Sequence, residues 1–392
     1  MEVRKMSKFK KIVALVMALV LVFALAACGG NTDTNPSGDG TSTGEKQPMP
    51  AIAKDDIKVG VLHIGDPADG AGYSYAHDTG IVEMQKAIGL RDDQIIRKNN
   101  VADDNDTAIE TALNELIEAG CNIIFATSWG YMEKVNEAAA AHPEIIFSHC
   151  SGYMSNDTNF NNYFGQIYQA RYLAGIVAGL KTKSNKIGYV AAQDNNNPEV
   201  TGGIDAFALG VKSVNPDAKV YVKVTNTWFD LQREKAAAVA LLDEGCDVIT
   251  QHQDTTQPMV AAQERGAYGI GYNSDMAKQV PDAVLTSVVW HWGVYYTAAV
   301  QAAIDGTWTA DNYFKGMNEK LLGLTELTSL CAEGTQEKVD EATQKILSGE
   351  LKVFAGEIKD NAGTVRVKAG ESLDDAYIAG QINWYVDNVV VK

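Results

Sequence analysis

The chain has 392 residues, of which 46% are hydrophobic and 21% are charged, and its formal net charge is −17 at pH 7. This composition is ordinary for a globular protein, and the length beyond the N-terminal region favours two domains. A chain this acidic is poorly suited to bind phosphate backbones, so we expect no nucleic-acid partner.

The N-terminal region is typical of an exported bacterial lipoprotein. Five Lys and Arg residues precede IVALVMALVLVFALAA, an uncharged run of 16 residues that is short for a membrane span. The run ends in LAAC, which resembles the signal in which the cysteine is lipidated; an ordinary signal peptide with a chance cysteine is the alternative. We predict a signal peptide at residues 1–28 and lipidation at Cys28. The protein would then be anchored by this lipid to the extracytoplasmic face of the cell membrane.

The segment after the signal is predicted to be a flexible tether over residues 29–55. It is rich in Gly, Ser, Thr, Asn, Asp and Pro and has few side chains to bury. No two of the later cysteines, Cys121, Cys150, Cys246 and Cys331, have CxxC spacing, so neither a metal nor a redox site is predicted. We predict buried free thiols, with a disulfide outside the cell as the alternative. No cofactor is predicted.

Short apolar runs alternate with helical segments in the rest of the chain. The runs are IKVGVLHI (57–64), NIIFATS (122–128), EIIFSHC (144–150), KIGYVAA (186–192), KVYVKVT (219–225), DVITQHQ (247–253), GAYGIGYN (266–273) and AVLTSVV (283–289). The segment at 107–120 places Ile109 and Leu113 on one helical face. Within it, Thr107 and Glu110 have the spacing of a capping box. This alternation predicts an α/β fold with parallel sheets covered by helices on both faces.

The series of strands runs twice along the chain. The first set ends near Phe164, the apolar helix QIYQARYLAGIVAGLKTKS follows, and a second set begins at Lys186. Two doubly wound domains in succession are the plan of bacterial extracytoplasmic binding proteins. We predict a first lobe from 56–165 with about 290–335, and a second lobe from 166–289 with about 336–392.

The candidate site lies after the strands, because parallel sheets bind ligands beyond the carboxyl ends of their strands. After the first strand, GDPADGAGYSYAHDTG (65–80) is predicted to be a loop whose glycines let the backbone turn. Four of the six tryptophans also follow strands, and flat aromatic walls with amides and carboxylates suit a flat, polar-edged ligand. The predicted ligand-binding residues are Tyr73, Ser74, Tyr75, Ser128, Trp129, His149, Trp228, Asp254, Asn273, Asp275 and Trp290.

Six motifs in the same order resemble the basic membrane protein family of ABC-transporter receptor lipoproteins, which includes purine nucleoside receptors. They are GYSYAHDTG, YQARYLAGIVAGLKTKSNKIGYVAA, GIDAFALGVKSVNPDA, TNTWFD, IGYNSDM and LTSVVWHWG. The resemblance covers nearly the whole chain after the tether. It implies the type I periplasmic-binding-protein fold, with a ligand cleft between two lobes. It also implies a purine ligand and import through an ABC permease with its ATPase.

The resemblance assigns roles to particular positions. It implies that Tyr73 and Trp228 form the two faces of an aromatic sandwich around a purine. Asn273 stands where the family has an acid that holds ribose hydroxyls, and Trp290 stands where nucleoside receptors have a lysine for the sugar. Both departures remove charge near the expected sugar position. Our hypothesis is therefore a free purine base such as adenine, with a purine nucleoside as the alternative.

An enzyme is the rival class of function. The chain has no GxSxG, HExxH or GxxxxGK[ST] motif, so we predict a binding protein and not an enzyme, with a nucleoside hydrolase as the less favoured alternative. A sugar or signal receptor on the same fold is another alternative, because sugars also stack on tryptophan and bind Asp and Asn. Asp230 is predicted to cap the following helix, and His77 and Asp78 to brace either the loop that holds Tyr73 or the start of the helix after it.

Overall fold

The computed structural model describes residues 46–392. The predicted signal peptide, the lipidation site Cys28 and residues 29–45 of the predicted tether lie outside the described residues. Within residues 46–392, no helix combines the length and the apolar character that a membrane span requires.

The end of the predicted tether is bonded to the folded body. The backbone N–H of Met49 donates to the carbonyl of Trp308 at 2.8 Å, and that of Ile52 donates to the carbonyl of Ala303 at 3.0 Å. The Met49 and Ile52 side chains also pack against the core. Residues from Met49 onward therefore belong to the folded body, whereas the sequence placed the end of the tether at residue 55.

Strands and helices alternate through the described residues. The strands are β1 (Val59–Leu62), β2 (Ile95–Lys98), β3 (Ile123–Ala126), β4 (Ile146–Cys150), β5 (Phe160–Gly165), β6 (Lys186–Ala191), β7 (Lys219–Val224), β8 (Val248–His252), β9 (Tyr268–Asn273), β10 (Val284–Trp290), β11 (Tyr313–Lys315), β12 (Leu322–Leu324), β13 (Ile358–Lys359), β14 (Val365–Val367) and β15 (Val389–Val391). The α-helices are α1 (Gly72–Ile88), α2 (Asp106–Glu118), α3 (Met132–Ala141), α4 (Tyr168–Lys181), α5 (Pro198–Val214), α6 (Leu231–Asp243), α7 (Gln257–Glu264), α8 (Gly293–Asp305), α9 (Thr335–Leu347) and α10 (Asp375–Gly380).

The strands form two large sheets with the same central topology. The first has the order β11-β5-β4-β3-β1-β2, and all its pairs are parallel. The second has the order β12-β10-β9-β8-β6-β7-β15 and is parallel except for the pair of β10 with β12. Central strands such as β3 and β8 are buried along their whole length, as expected where helices cover both faces. The predicted α/β fold with two doubly wound sheets is confirmed.

The chain passes between the two sheets three times. It leaves the first sheet after β5, returns to it after β10, and leaves it again between β11 and β12. The third passage lies between Lys315 and Leu322. The sequence predicted this boundary between the lobes near residue 335. β12 belongs to the second sheet because Leu322, Gly323 and Leu324 pair with β10.

The eight predicted apolar runs all contain strands, and the predicted helix after Phe164 is α4. β2 and β5 lie outside those runs because IIRK and FNNYFG interrupt their apolar residues with charged or amide side chains. The predicted capping box at Thr107 is wrong, since Asn105 is the N-cap of α2 and accepts a hydrogen bond from the N–H of Ala108 at 3.1 Å. An Asn cap two residues earlier satisfies a free N–H group of the first turn.

The four cysteines of the described chain are free thiols, as the sequence predicts. Cys121, Cys150 and Cys246 are buried, and Cys331 is half-buried.

Candidate ligand-binding site

A small cavity of about 20 Å³ lies between residues carried by the two sheets. The elements of the first sheet contribute an aromatic wall and hydroxyl groups, and those of the second contribute aromatic rings and two carboxyl groups. The lining residues are Tyr73, Ser128, Trp129 and Ser151 from the first, and Glu199, Trp228, Asp254 and Tyr272 from the second. This set of eight is called the interlobe cavity below.

The topology explains why these residues meet. Strand order reverses at β1 in the first sheet and at β6 in the second, so a crevice opens at the carboxyl end of each. Tyr73 follows β1, and Glu199 follows β6, each in the first turn of the next helix. Ser128 and Asp254 follow the neighbouring strands β3 and β8. The cavity therefore lies where the two switch points face each other.

Glycines allow the first lobe to approach the second at Tyr73. Gly70 and Gly72 have φ values of 74° and 84°, and a Cβ on Gly72 would lie 2.1 Å from the carbonyl oxygen of Asp254. The N–H of Gly72, in the first lobe, donates a hydrogen bond to the hydroxyl of Ser274, in the second, at 2.9 Å. The prediction of a glycine-assisted turn is confirmed. The prediction that residues 65–80 form a loop is wrong beyond Gly72, because α1 begins there directly after the turn.

Buried histidines hold the two rings predicted to stack on the ligand. The ring of Tyr73 meets His77 edge-on, with centroids 4.4 Å apart, and Trp228 meets His252 in the same manner at 6.0 Å. His77 is fixed in turn by the Tyr296 hydroxyl, 2.5 Å from its Nδ1. The predicted bracing role of His77 is thus confirmed.

Asp78 has the second predicted bracing role. Its carboxylate accepts a hydrogen bond from Arg97 at 2.5 Å and lies 3.6 Å from Nε2 of His63. These contacts tie the first turns of α1 to β2, which carries Arg97. The predicted bracing role is confirmed for Asp78 as well.

Tyr272 is a third ring in the cavity, and it is held from three sides. The guanidinium carbon of Arg171 lies 3.9 Å from its ring centroid, and His252 meets it edge-on at 4.8 Å. Its hydroxyl accepts a hydrogen bond from Nε1 of Trp290 at 3.3 Å. Arg171 is fully buried, so a cation–π contact places a permanent positive charge behind this wall.

The two carboxyl groups of the cavity are strongly desolvated. Burial raises the pKa of Asp254 well above its usual range, and the nearby carboxyls of Glu234, Asp103 and Glu199 raise it further. Burial also raises the pKa of Glu199 to about 7, against opposing effects of Ser151 and Arg171. A neutral carboxyl group can donate and accept hydrogen bonds at once, so Asp254 can recognise an edge that presents a donor beside an acceptor.

Strained backbone at the end of β4 turns Ser151 into the cavity. Ser151 and Gly152 have φ values of 58° and 67°, and a Cβ on Gly152 would lie 2.8 Å from Cε1 of His149. His149 itself does not line the cavity; it lies behind Ser128, whose carbonyl accepts a hydrogen bond from its Nε2 at 2.7 Å. Burial lowers the pKa of His149 to about 4, so this support is neutral at pH 7.

The structure brings five of the eleven predicted residues together in the interlobe cavity: Tyr73, Ser128, Trp129, Trp228 and Asp254. Asn273 lies beside Asp254 and favours its ionised form, yet neither amide atom of Asn273 makes a hydrogen bond of ordinary geometry. The Ser74 hydroxyl accepts a hydrogen bond from the Gly65 N–H at 2.9 Å. Whether these residues contact a ligand stays a prediction.

The other predicted residues face a separate cleft. Tyr75, Asn273, Asp275 and Trp290 line an open space of about 870 Å³ on another side of the lobe junction. The Asp275 carboxylate accepts a hydrogen bond from the N–H of Ala277 at 3.3 Å and so caps a short helical turn.

Sequence reasoning missed three residues of the cavity. Ser151 follows β4 but is not among the predicted residues, and Tyr272 lies within β9, where it has no strand-end position to mark it. Glu199 lies in the first turn of the helix after the central strand β6, which is the position that Tyr73 has after β1. The DNNNPEV segment at 194–200 carries a helix N-terminus signal, Asn followed by Pro, that could have found it.

Comparison with known proteins identifies the family. The family described as Bmp, ABC transporter substrate-binding protein PnrA-like, matches residues 57–357. The chain belongs to the Bmp family. The predicted resemblance is therefore confirmed, and this Bmp protein is a member of a family of ABC transporter substrate-binding proteins.

Two relatives and one solved structure are similar to this Bmp protein. A purine-binding protein of Brucella abortus (strain 2308) is 39% identical over 339 residues, which cover 86% of this chain and 94% of that protein. A Haloferax volcanii ABC transporter protein, named provisionally for glucose binding, is 33% identical over 324 residues, which cover 83% of this chain and 80% of that protein. A solved ABC transporter solute-binding protein of Aeropyrum pernix K1 superposes with a TM-score of 0.66 at 19% identity. The superposition covers 76% of this chain and 93% of that one, and this likeness shows the fold.

Proposed function

We propose that this Bmp protein is the extracytoplasmic, lipid-anchored receptor of an ABC importer and that it binds a free purine base, adenine, in the interlobe cavity. The observation that carries the proposal is the joint placement of Tyr73, Trp228 and Asp254 around one cavity, with Tyr73 supplied by one lobe and both Trp228 and Asp254 by the other.

Aromatic rings and desolvated carboxyl groups together suit a purine. Stacking of a base on an aromatic side chain contributes about 1–3 kcal/mol per base and is available from Tyr73, Trp129, Trp228 and Tyr272. The edges of adenine carry adjacent donors and acceptors, as at N6 and N7. The raised pKa of Asp254 allows a neutral carboxyl group that donates to one such atom and accepts from the next.

Two features favour a free base over a nucleoside. A chamber of about 60 Å³ adjoins the interlobe cavity and shares Trp129, Ser151 and Glu199 with it. The rest of its wall is mostly apolar, including Phe164, Phe314 and Ile378, so it offers few partners for ribose hydroxyls. In addition, a free base keeps an N9–H donor beside the N3 acceptor, an edge that suits a carboxyl group and that a nucleoside lacks.

The purine-binding relative of Brucella abortus supports the same ligand class. The Haloferax volcanii relative, named provisionally for glucose binding, supports a second candidate, because sugars also stack on tryptophan and bind carboxylates. A sugar receptor on this fold would use the same cavity.

The working cycle follows from the two-lobed architecture. Ligand bound by residues of both lobes favours the closed arrangement, which the permease with its ATPase would recognise. A lipid on Cys28 would hold the receptor near the permease and raise its effective concentration there. This is a binding function, so the ligand is expected to be recovered chemically unchanged.

Calorimetric titration of the purified protein tests the proposal. Adenine, hypoxanthine, adenosine, ribose and glucose are titrated separately, and each mixture is analysed for products afterwards. Adenine is expected to bind tightest, because it fits the rings and needs no ribose partners. Tighter binding of adenosine would replace the free base by a nucleoside, and binding of glucose alone would replace the purine by a sugar.

A further inference from the structure

Glu199 is the carboxyl group at the junction of the interlobe cavity and the apolar chamber. It lies in the first turn of α5, directly after Pro198, and its side chain is 10% exposed. It lines both spaces, as do Trp129 and Ser151 from the other lobe. A molecule that occupies the interlobe cavity therefore lies against this carboxyl group.

One oxygen of this carboxyl group has no partner. The Ser151 hydroxyl lies close enough to favour the ionised form of this group, yet Oε2 of Glu199 is buried and makes no hydrogen bond of ordinary geometry within the described chain. Nε2 of His252 is 3.6 Å from Oε1, which is beyond a hydrogen bond, and it too lacks a partner among the described residues. Leaving a buried acceptor unsatisfied is unfavourable, so the missing donor belongs to whatever fills the cavity.

We propose that Glu199 is a specificity-determining residue that accepts a hydrogen bond from an exocyclic amino group of the ligand. It would thereby select 6-aminopurines over 6-oxopurines. The inference rests on the proposed function, since it requires a purine in the interlobe cavity, but it goes further by naming the group that distinguishes adenine from hypoxanthine.

The chemistry of the two ring types explains the selection. An ionised carboxylate only accepts hydrogen bonds, so it pairs with the N6 amino group of adenine. Opposite the 6-oxo group of hypoxanthine, the same carboxylate would face a second acceptor with no proton between them. Sites that pair a buried polar group with the ligand reject analogues that leave that group unpaired.

The surroundings of Glu199 make this selection dependent on pH. The guanidinium of Arg171 on α4 favours the ionised form, while burial raises the pKa of Glu199 to about 7. His252 on β8 is neutral because burial lowers its pKa well below the usual range, and burial raises the pKa of Asp254 after β8. The other facing groups are Cys150, Tyr73, Tyr189 and Tyr272, whose pKa values burial raises further from neutrality.

The direction of the pH effect follows from these charges. An amino donor needs ionised Glu199, so the affinity for adenine should fall as pH drops below 7. A protonated Glu199 can donate to a 6-oxo oxygen, so the affinity for hypoxanthine should hold or rise over the same range.

Calorimetric titration of the full chain with adenine and with hypoxanthine tests the inference. The wild type is compared with Glu199→Gln, which adds a donor at the same position, at pH 7.5 and pH 5.5. The matched control is Glu234→Gln: the Glu234 pKa is also raised to about 7, but its carboxylate accepts hydrogen bonds from Asp230 and Thr255 within the protein. It does not line the interlobe cavity.

Glu199→Gln is expected to lower the ratio of adenine affinity to hypoxanthine affinity about 10-fold or more, since the bond lost involves a charged group. Glu234→Gln should leave that ratio unchanged. Glu199→Asp keeps an acceptor, so it should bind adenine more weakly but retain the preference for adenine over hypoxanthine. This variant is used if Glu199→Gln does not fold.

Failure of the inference and failure of the proposed function give different results. If adenine binds but the wild type shows no preference, or if Glu199→Gln keeps the preference and its pH dependence, Glu199 is not the selecting group and the purine receptor stands. If neither purine binds to the wild type, the proposed function falls and the inference falls with it.

Discussion

The Nε1–H of Trp290 donates to the hydroxyl of Tyr272 at 3.3 Å, and Tyr272 lines the interlobe cavity while Trp290 does not. Trp290 is buried and stacks on Trp292, with centroids 4.3 Å apart and planes at 14°. The tryptophan that stands in place of a sugar-binding lysine therefore lies behind the cavity wall, one hydrogen bond away from the ligand space.

Replacing Trp290 by Phe is expected to weaken adenine binding several-fold by releasing the Tyr272 hydroxyl, since a typical hydrogen bond contributes about 1 kcal/mol. The measurement is calorimetric titration with adenine. Trp384→Phe is the matched control, because Trp384 donates to Tyr377 at the same distance of 3.3 Å and neither residue lines the cavity. Equal loss of affinity in both variants would contradict a role for the Trp290 bond in the site.

Removing either proposed stacking ring should reduce affinity without unfolding the protein. Tyr73→Ala and Trp228→Ala are each expected to cost about 1–3 kcal/mol of purine binding, the usual contribution of a stacked ring. Phe229→Ala is the control next to Trp228, since Phe229 is 37% exposed and does not line the interlobe cavity. Unchanged affinity in Trp228→Ala would show that this ring packs the lobe junction and does not hold ligand.

Asp230→Ala should lower stability and leave ligand affinity unchanged. Asp230 is the N-cap of α6, and its carboxylate accepts hydrogen bonds from the N–H groups of Gln232 and Arg233 at 3.0 and 2.9 Å. Loss of such a cap costs about 1 kcal/mol, which thermal unfolding measures directly. A large loss of purine affinity in Asp230→Ala would instead place its carboxylate in the binding machinery.

Gly210→Ala is expected to destabilise the second lobe by about 1–3 kcal/mol or more. A Cβ on Gly210 would lie 2.0 Å from the carbonyl oxygen of Tyr172, where α5 crosses α4, and backbone cannot move aside as a flexible side chain can. Gly323→Ala is the control, because a Cβ there meets nothing within 4 Å. Denaturant unfolding of both variants gives the two free energies, and equal values would contradict the close crossing.

His149 should make stability depend on pH in the acid range. Burial lowers its pKa from 6.5 to about 4, so the unfolded chain takes up a proton at higher pH than the folded chain does. The contribution of neutral His149 to the free energy of unfolding is about 3 kcal/mol. It is fully present above pH 6.5 and is lost as the pH falls towards 4. His149→Asn removes this titration and should show a shallower loss of unfolding free energy between pH 7 and pH 4. The other buried histidines titrate in both proteins and cancel in the comparison.

The sequence determined the α/β class, the two successive sets of strands and the family. Apolar runs such as NIIFATS can be buried only as central strands of a covered sheet, and the residues after such strands must gather at one edge. For this reason Tyr73, Ser128, Trp129, Trp228 and Asp254 could be placed together from local pattern alone. Asp230 could likewise be predicted as a cap, because capping depends only on residues within one helical turn.

Only the tertiary structure decided which strand-end side chains share one space. Trp290 is the last residue of β10, whereas Trp228 follows β7, and the ring of Trp290 stacks within the lobe junction on Trp292, two residues later. The local pattern marks Glu199 only as a residue in the first turn of a helix, and its proposed role rests on an unpartnered oxygen and on the approach of the opposite lobe. Side-chain direction and the meeting of two lobes depend on contacts between residues far apart in the chain, and no local pattern encodes them.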